Sequence, residues 1–287
     1  MLFRSQYAHN IDEAVKIASS RKTFVSESIL VASAHDHRSV IIEKSPTRQD
    51  VVESKDNALI CSNHFQSDAF SGDSENMKNK AESTSEFRYQ RVKNLISEAP
   101  PLSVSSAVAI LRDRKGPFEK NIGEGNEQAI NQLIAHHSVV FRPESKQAWI
   151  STHPWQLGTF VCYNLDSAFS RSQHLQDEKE IYDKALNIPP DTFLNSPEYF
   201  NFLAFRIIKK YVQFAAKNTS YQASEAQILS LIHTNPDYYY SYALAGEYYL
   251  AHGDKREAKK YFTVALLKEP SCLNERNRIE KQIKSCD

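Results

Sequence analysis

Ser28-Ile29-Leu30-Val31-Ala32 and Ser39-Val40-Ile41-Ile42-Glu43 are two apolar, β-branched runs joined by the polar stretch Ala34-His35-Asp36-His37-Arg38. Branched side chains fit a pleated surface better than a helix, and a short polar link between two such runs marks an antiparallel hairpin. Val51-Val52-Glu53 and Ala58-Leu59-Ile60-Cys61 read as two more short strands, which extends the hairpin into a meander buried on at least one face. Before it, Ile11, Ala14, Val15 and Ala18 fall at helical spacing. Asn10 caps that helix, and Glu13 stands where its carboxylate can reach back to the Asn10 amide.

Beyond the meander, residues 66–83 are polar and read as a long loop, of the kind that lines a site. A helix is predicted over 84–97 with Phe87, Val92, Leu95 and Ile96 as its apolar side, stopped by Pro100-Pro101. A short helix over 104–112, a loop over 116–126 and three strands follow. Those strands are Ser138-Val139-Val140-Phe141, Gln147-Ala148-Trp149-Ile150 and Thr159-Phe160-Val161-Cys162-Tyr163. After about residue 170 the pattern is helical throughout: 175–187, 197–217, 222–234, 239–252, 255–268 and 272–284. The expected architecture is α+β over 1–170 and all-α over 171–287.

Pro236 and Pro270 lie 34 residues apart, with Tyr242, Gly246, Tyr249, Gly253, Ala258, Phe262 and Ala265 between them. That spacing matches one tetratricopeptide helix–turn–helix unit, with Ala245 where Leu is usual. A lone unit builds no long concave groove, so it serves either as a helical cap or as a partner-binding module.

Composition removes several function classes. With Lys plus Arg at 35 and Asp plus Glu at 35, the 287-residue chain has no net charge and no basic block for nucleic acid. No apolar run reaches the roughly 18 residues of a membrane span, and the first ten residues lack the apolar core of a secretory signal. Seven glycines and no phosphate-loop pattern argue against nucleotide binding. Cys61, Cys162, Cys272 and Cys286 have no zinc spacing and read as free thiols. The close histidine pairs His35/His37 and His136/His137 lack a carboxylate or thiol set, so neither a metal nor another cofactor is expected.

Two segments carry chemistry. In Ile60-Cys61-Ser62-Asn63-His64-Phe65 an apolar run ends abruptly in polar groups; in Ser85-Glu86-Phe87-Arg88-Tyr89-Gln90-Arg91 two arginines sit three apart in the first turns of a helix. An Asn donor and an Arg near a strand end suit stabilisation of a developing oxyanion. A capped surface helix explains the second segment equally well.

The order of these segments resembles the acyl-CoA:6-aminopenicillanate acyltransferase-like group (peptidase family C45), relatives of the choloylglycine and penicillin V acylases. Ile11-Asp12-Glu13-Ala14 opens the helix before the hairpin. Val40-Ile41-Ile42-Glu43-Lys44-Ser45-Pro46 is similar to the family's V-x-E-x-S-P, Cys61-Ser62-Asn63-His64-Phe65 to T-N-H-F, and Ser85 to Arg91 to S-x-x-R-x-x-R. Ala109-Ile110-Leu111-Arg112-Asp113 and the hairpin from Ser138 to Ile150 follow in the family's order, so the likeness covers about residues 5–165.

The resemblance implies half of an αββα N-terminal-nucleophile sandwich and cleavage or transfer at an amide or acyl-thioester bond. It implies Asn63 and Arg88 as catalytic residues, with His64 and Phe65 against a small acylated substrate. It also implies a cysteine nucleophile freed at a Gly-Cys bond, and no Gly-Cys pair occurs in this chain. The nucleophile is therefore expected upstream of Met1 or on a separate chain bearing the missing N-terminal half. Half a sandwich on its own exposes strand edges and is expected to aggregate. The competing expectation is a non-catalytic interaction protein working through 171–287.

Overall fold

The computed structural model describes residues 7–54, 57–98, 101–172 and 181–287. Helix α1 (Ile11–Ser20) leads into a three-stranded antiparallel sheet, β1 (Glu27–Ser33), β2 (Arg38–Lys44) and β3 (Gln49–Glu53), with β2 in the centre. The register pairs Ile29 with Ile42 and Ile42 with Val51. Val40 and Ile42 share one face of β2 and pack against Ile11 and Ala18 of α1. Asn10 caps α1 through the Glu13 amide at 2.8 Å, but the Glu13 carboxylate accepts from His9 rather than from Asn10.

The polar segment expected as loop contains a 3₁₀ turn, Asp68–Phe70, and helix α2 (Ser74–Glu82). Asp73 caps α2 on the Asn76 amide, and the helix buries no residue, so it carried no apolar periodicity to read. Residues 58–61, expected as strand, run as irregular chain; Gln66 holds the Ile60 carbonyl at 2.7 Å in place of a ladder. Then come α3 (Ser85–Glu98) and α4 (Val104–Leu111).

A second antiparallel sheet consists of β4 (Val139–Arg142), β5 (Gln147–Ser151) and β6 (Phe160–Asn164). Its buried face sets Trp149, Phe160 and Cys162 against Val108 of α4. Helix α5 (Leu165–Ser172) follows. The helix expected over 175–187 lies partly outside the described residues. Its remainder is not α-helical: residues 183–188 pair with β6, Phe160 with Ile188, and only Lys184–Leu186 make a 3₁₀ turn. Tertiary pairing with β6 overrode the local pattern there.

The rest is all helix: α6 (Pro197–Lys217), α7 (Glu225–His233), α8 (Tyr239–Ala251), α9 (Lys255–Leu267) and α10 (Leu273–Ser285). These bounds fall within three residues of those expected; α6, α7 and α9 start at the side-chain caps Ser196, Ser224 and Asp254, which are local signals. α8 and α9 pack against each other, and a Cβ on Gly246 would stand 2.6 Å from the Phe262 ring, so only glycine admits this approach. Leu133 and Leu157 share the helical core, and the stretch before them is strapped to the helices by polar side chains. Asn235 exchanges two hydrogen bonds with the Glu124 backbone (3.1 and 2.8 Å), and Gln128 donates to the Pro270 carbonyl at 3.1 Å. Gly123, at φ +81°, lies so close to the Tyr238 backbone that no side chain fits.

Candidate functional site

A cleft of about 770 Å³ opens between the end of β2, the turn 61–65 and the helices α2 and α3. Its floor is fixed by Glu43. This carboxylate is fully buried and accepts from the Gln66 and Ser67 amides at 2.7 and 2.9 Å, which anchors the chain just past the turn. Two charge-assisted bonds satisfy a carboxylate that burial would otherwise penalise. On the rim, Ser45 caps a tight turn through the Arg48 amide at 3.0 Å, and Arg48 donates to the Ala69 carbonyl and pairs with Asp73.

Asn63 and Arg88 meet in this cleft. The Arg88 guanidinium donates from Nη2 to Asn63 Oδ1 at 2.7 Å. A guanidinium has no acceptor, so the amide oxygen must face it and the Asn63 NH₂ points away. Neither that nitrogen nor the buried Arg88 Nε has a protein partner among the described residues. The Nε atom is closed off from the cleft, so the free donor there is the exposed Asn63 NH₂; beside the Arg88 charge it forms a ready place for negative charge on oxygen. Burial lowers the Arg88 pKa from its ordinary value, yet a guanidinium stays charged near neutral pH.

The neighbours of Asn63 hold it. Ser62 Oγ and His64 Nδ1 both meet Ser85 Oγ, at 2.9 and 2.8 Å, at the start of α3. The His64 ring is buried, edge-on to Tyr89 and 3.7 Å from Glu86. It belongs to the wall and reaches no open space, whereas Asn63 is exposed. Phe65 is clamped at both backbone groups by Asn76 (2.8 and 3.0 Å), and its ring meets Phe70 at 4.2 Å, which gives the cleft an apolar side. Asn76 was not found from sequence, and Ser85 was quoted only as the first residue of a motif, with no role; the signal available for Asn76 was Asp73 standing three residues before it as a helix cap.

Burial depresses the His64 pKa, with Glu86 opposing and Lys80 adding to the shift. The folded state thus takes up a proton at His64 less readily than the unfolded chain does, whose histidine titrates near about 6.5. This contribution to stability is present above that value and is lost as pH falls toward the folded value. Between about pH 7.5 and 5.5 the melting temperature of the wild type should drop more steeply than that of His64→Gln. Equal slopes would show that His64 is not the group responsible.

Cys61 opens onto the same cleft, but surrounding protein and then Glu43 push its thiol pKa up, against thiolate formation. Arg91, the second arginine of the pair, is buried, whereas Arg88 is partly exposed. Arg91 grips Asp113 with Nε at 2.9 Å and Nη2 at 2.7 Å, and also pairs with Glu119. Phe87, expected on the buried side of α3, is exposed instead. Among the described residues no group of three metal-ligating side chains occurs, and no helix is long and apolar enough to cross a membrane.

The model of the acyl-coenzyme A:6-aminopenicillanic acid acyl-transferase family matches residues 6–154. No curated protein and no solved structure matches the chain.

Proposed function

The chain belongs to the acyl-coenzyme A:6-aminopenicillanic acid acyl-transferase family, peptidase family C45, and from that premise we propose that it carries the carbonyl-polarising half of an acyl-transfer site. The observation that carries this reading is the Asn63–Arg88 pair, which sets a free Asn63 NH₂ beside a guanidinium charge in a cleft that has an apolar wall. The substrate is a small acylated amide or thioester, its acyl group against Phe65 and its carbonyl oxygen toward the Asn63 NH₂ and the Arg88 guanidinium. His64 supports the wall behind it.

The nucleophile is a cysteine outside these 287 residues, whose α-amine takes the thiol proton. Its sulfur bonds to the acyl carbon as the carbonyl π electrons move onto oxygen. The tetrahedral intermediate collapses by expelling the amine or thiol, which takes up the proton, and an acceptor then removes the acyl group. The nucleophile-bearing half sits upstream in the same reading frame or on a separate chain. An apolar groove of about 920 Å³ between α1, β1 and β4, with Leu30 and Phe141 exposed beside it, favours this reading because it offers a surface for such a half. The division into an acyltransferase-like part over 1–170 and a helical part over 171–287, with α8 and α9 as a tetratricopeptide-like unit, belongs to the same proposal.

The reading frame upstream of the Met1 codon tests it. A frame that stays open for about one further domain and encodes a Gly-Cys pair is expected. A stop just before Met1, with no neighbouring gene that supplies a Gly-Cys pair, would sink the proposal and turn attention to 171–287 as a binding module.

A further inference from the structure

The helical part and the segment 124–155 enclose a separate cavity of about 370 Å³. Its walls are aromatic. Trp155 meets Phe202 edge-on at 5.7 Å, and Phe205 meets Tyr238 at 5.9 Å. Its mouth is cationic, with Arg206, Lys209 and Lys210 contributed by consecutive turns of α6.

These three cations have no carboxylate within ion-pairing distance among the described residues. Two carboxylates lie nearby: Glu124, on the cavity wall, is 3.1 Å from the Arg114 guanidinium, and Glu127 accepts from the Tyr238 hydroxyl through Oε1 at 3.1 Å while its Oε2 has no hydrogen-bond partner. Instead, Arg206 stacks over Trp155 at 4.7 Å and Lys209 lies over Phe205 at 5.7 Å. Stacking holds the guanidinium plane and leaves its N–H groups free, which is how an arginine is readied for a carboxylate fork. Burial works against the charge on Lys209, Glu127 supports it, and Arg206 and Lys210 oppose it; the net direction is down, and an anion at the mouth would favour the charged form. In a chain of zero net charge, three unpaired cations at the rim of one aromatic cavity mark a place for an anion.

We propose that this cavity binds a small aromatic carboxylate, its ring against the wall that Trp155 and Phe202 form together and its carboxylate across Arg206 and Lys209. The volume accommodates one ring with a short chain. The site is distinct from the Asn63–Arg88 cleft and does not depend on acyl transfer.

The test is isothermal titration of the full chain, expressed as a soluble fusion, with 3-phenylpropionate and with its neutral amide at about 50 mM salt. One-to-one binding of the acid with a Kd between about 10 μM and 1 mM is expected, and binding of the amide at least about tenfold weaker. Arg206→Gln and Lys209→Gln should each weaken the acid at least about fivefold, with circular dichroism unchanged because Arg206 is exposed and its loss uncovers no core. Arg256→Gln, on α9 and outside the cavity, should leave binding as it was. Equal affinity for acid and amide, no saturable heat up to about 10 mM, or unaltered binding in Arg206→Gln would overturn the proposal.

Discussion

Asn63→Ala lowers the acyl-transfer rate of the enzyme completed by its nucleophile half about 10²–10³-fold, and leaves KM within about twofold. In the ground state a carbonyl oxygen asks little of the Asn63 NH₂; in the tetrahedral state that oxygen carries a full charge in a partly dry cleft. A donor that matters only then raises kcat and not binding. Arg88→Met should cost as much or more, because it removes both the charge and the hydrogen bond that turns the Asn63 amide. Arg88→Lys keeps a charge without the planar fork and should recover only part of the loss. The double variant should fall well short of the product of the single effects, since the two side chains form one unit. Steady-state kinetics on an acyl amide checks this. A loss below about tenfold in Asn63→Ala, or independent effects in the double variant, would remove the pair from the site.

Arg91→Ala destabilises the fold by about 3–5 kcal/mol. The Arg91 side chain is 5% exposed and that of Asp113 is 12% exposed, so deleting the cation strands a carboxylate with little water to replace its two bonds. The pair also joins α3 to the segment after α4, and Arg88 lies one turn earlier on α3. Loosening this joint should therefore disturb the cleft as well as the stability. Arg91→Lys keeps the charge but can make only one of the two Asp113 bonds, and should lie between wild type and Arg91→Ala. Urea midpoints with an unchanged m-value measure the effect. A shift smaller than about 1 kcal/mol would mean that the pair is a surface contact.

How far the sequence reveals this structure depends on where the decisive contacts lie along the chain. The β1–β2 hairpin and α6 to α10 were legible because their signals are local: β-branched runs around a polar turn, and caps such as Ser224 with Gln227. The segment 58–61 has the composition of a strand and no partner strand, and pairing is a property of distant chain. α2 escaped because a helix with no buried face has no period. The stretch 183–188 was drawn onto β6 by Asn187, whose side chain accepts from the Cys162 amide at 2.9 Å.

The site shows the same division. Asn63 and Arg88 stood out as residue types at the end of an apolar run and on a helix start, and the structure brings them to 2.7 Å across 25 positions. Arg91 did not, because a charged residue on an amphipathic helix is ordinarily taken for a solvent-facing one, and its acceptor Asp113 lies 22 residues away. Glu43 was visible only as a letter in a motif. Its work, holding the Gln66 and Ser67 amides, needs a buried strand position and a returning loop together.

The most direct test is an assay of the isolated chain, metal-free, on an acyl p-nitroanilide and an acyl thioester. The account predicts no turnover above buffer, because the cleft polarises a carbonyl but supplies no activated nucleophile, and Cys61 is held toward its thiol form. Turnover that survives purification and disappears in Cys61→Ala would contradict it, and would place the nucleophile inside this chain.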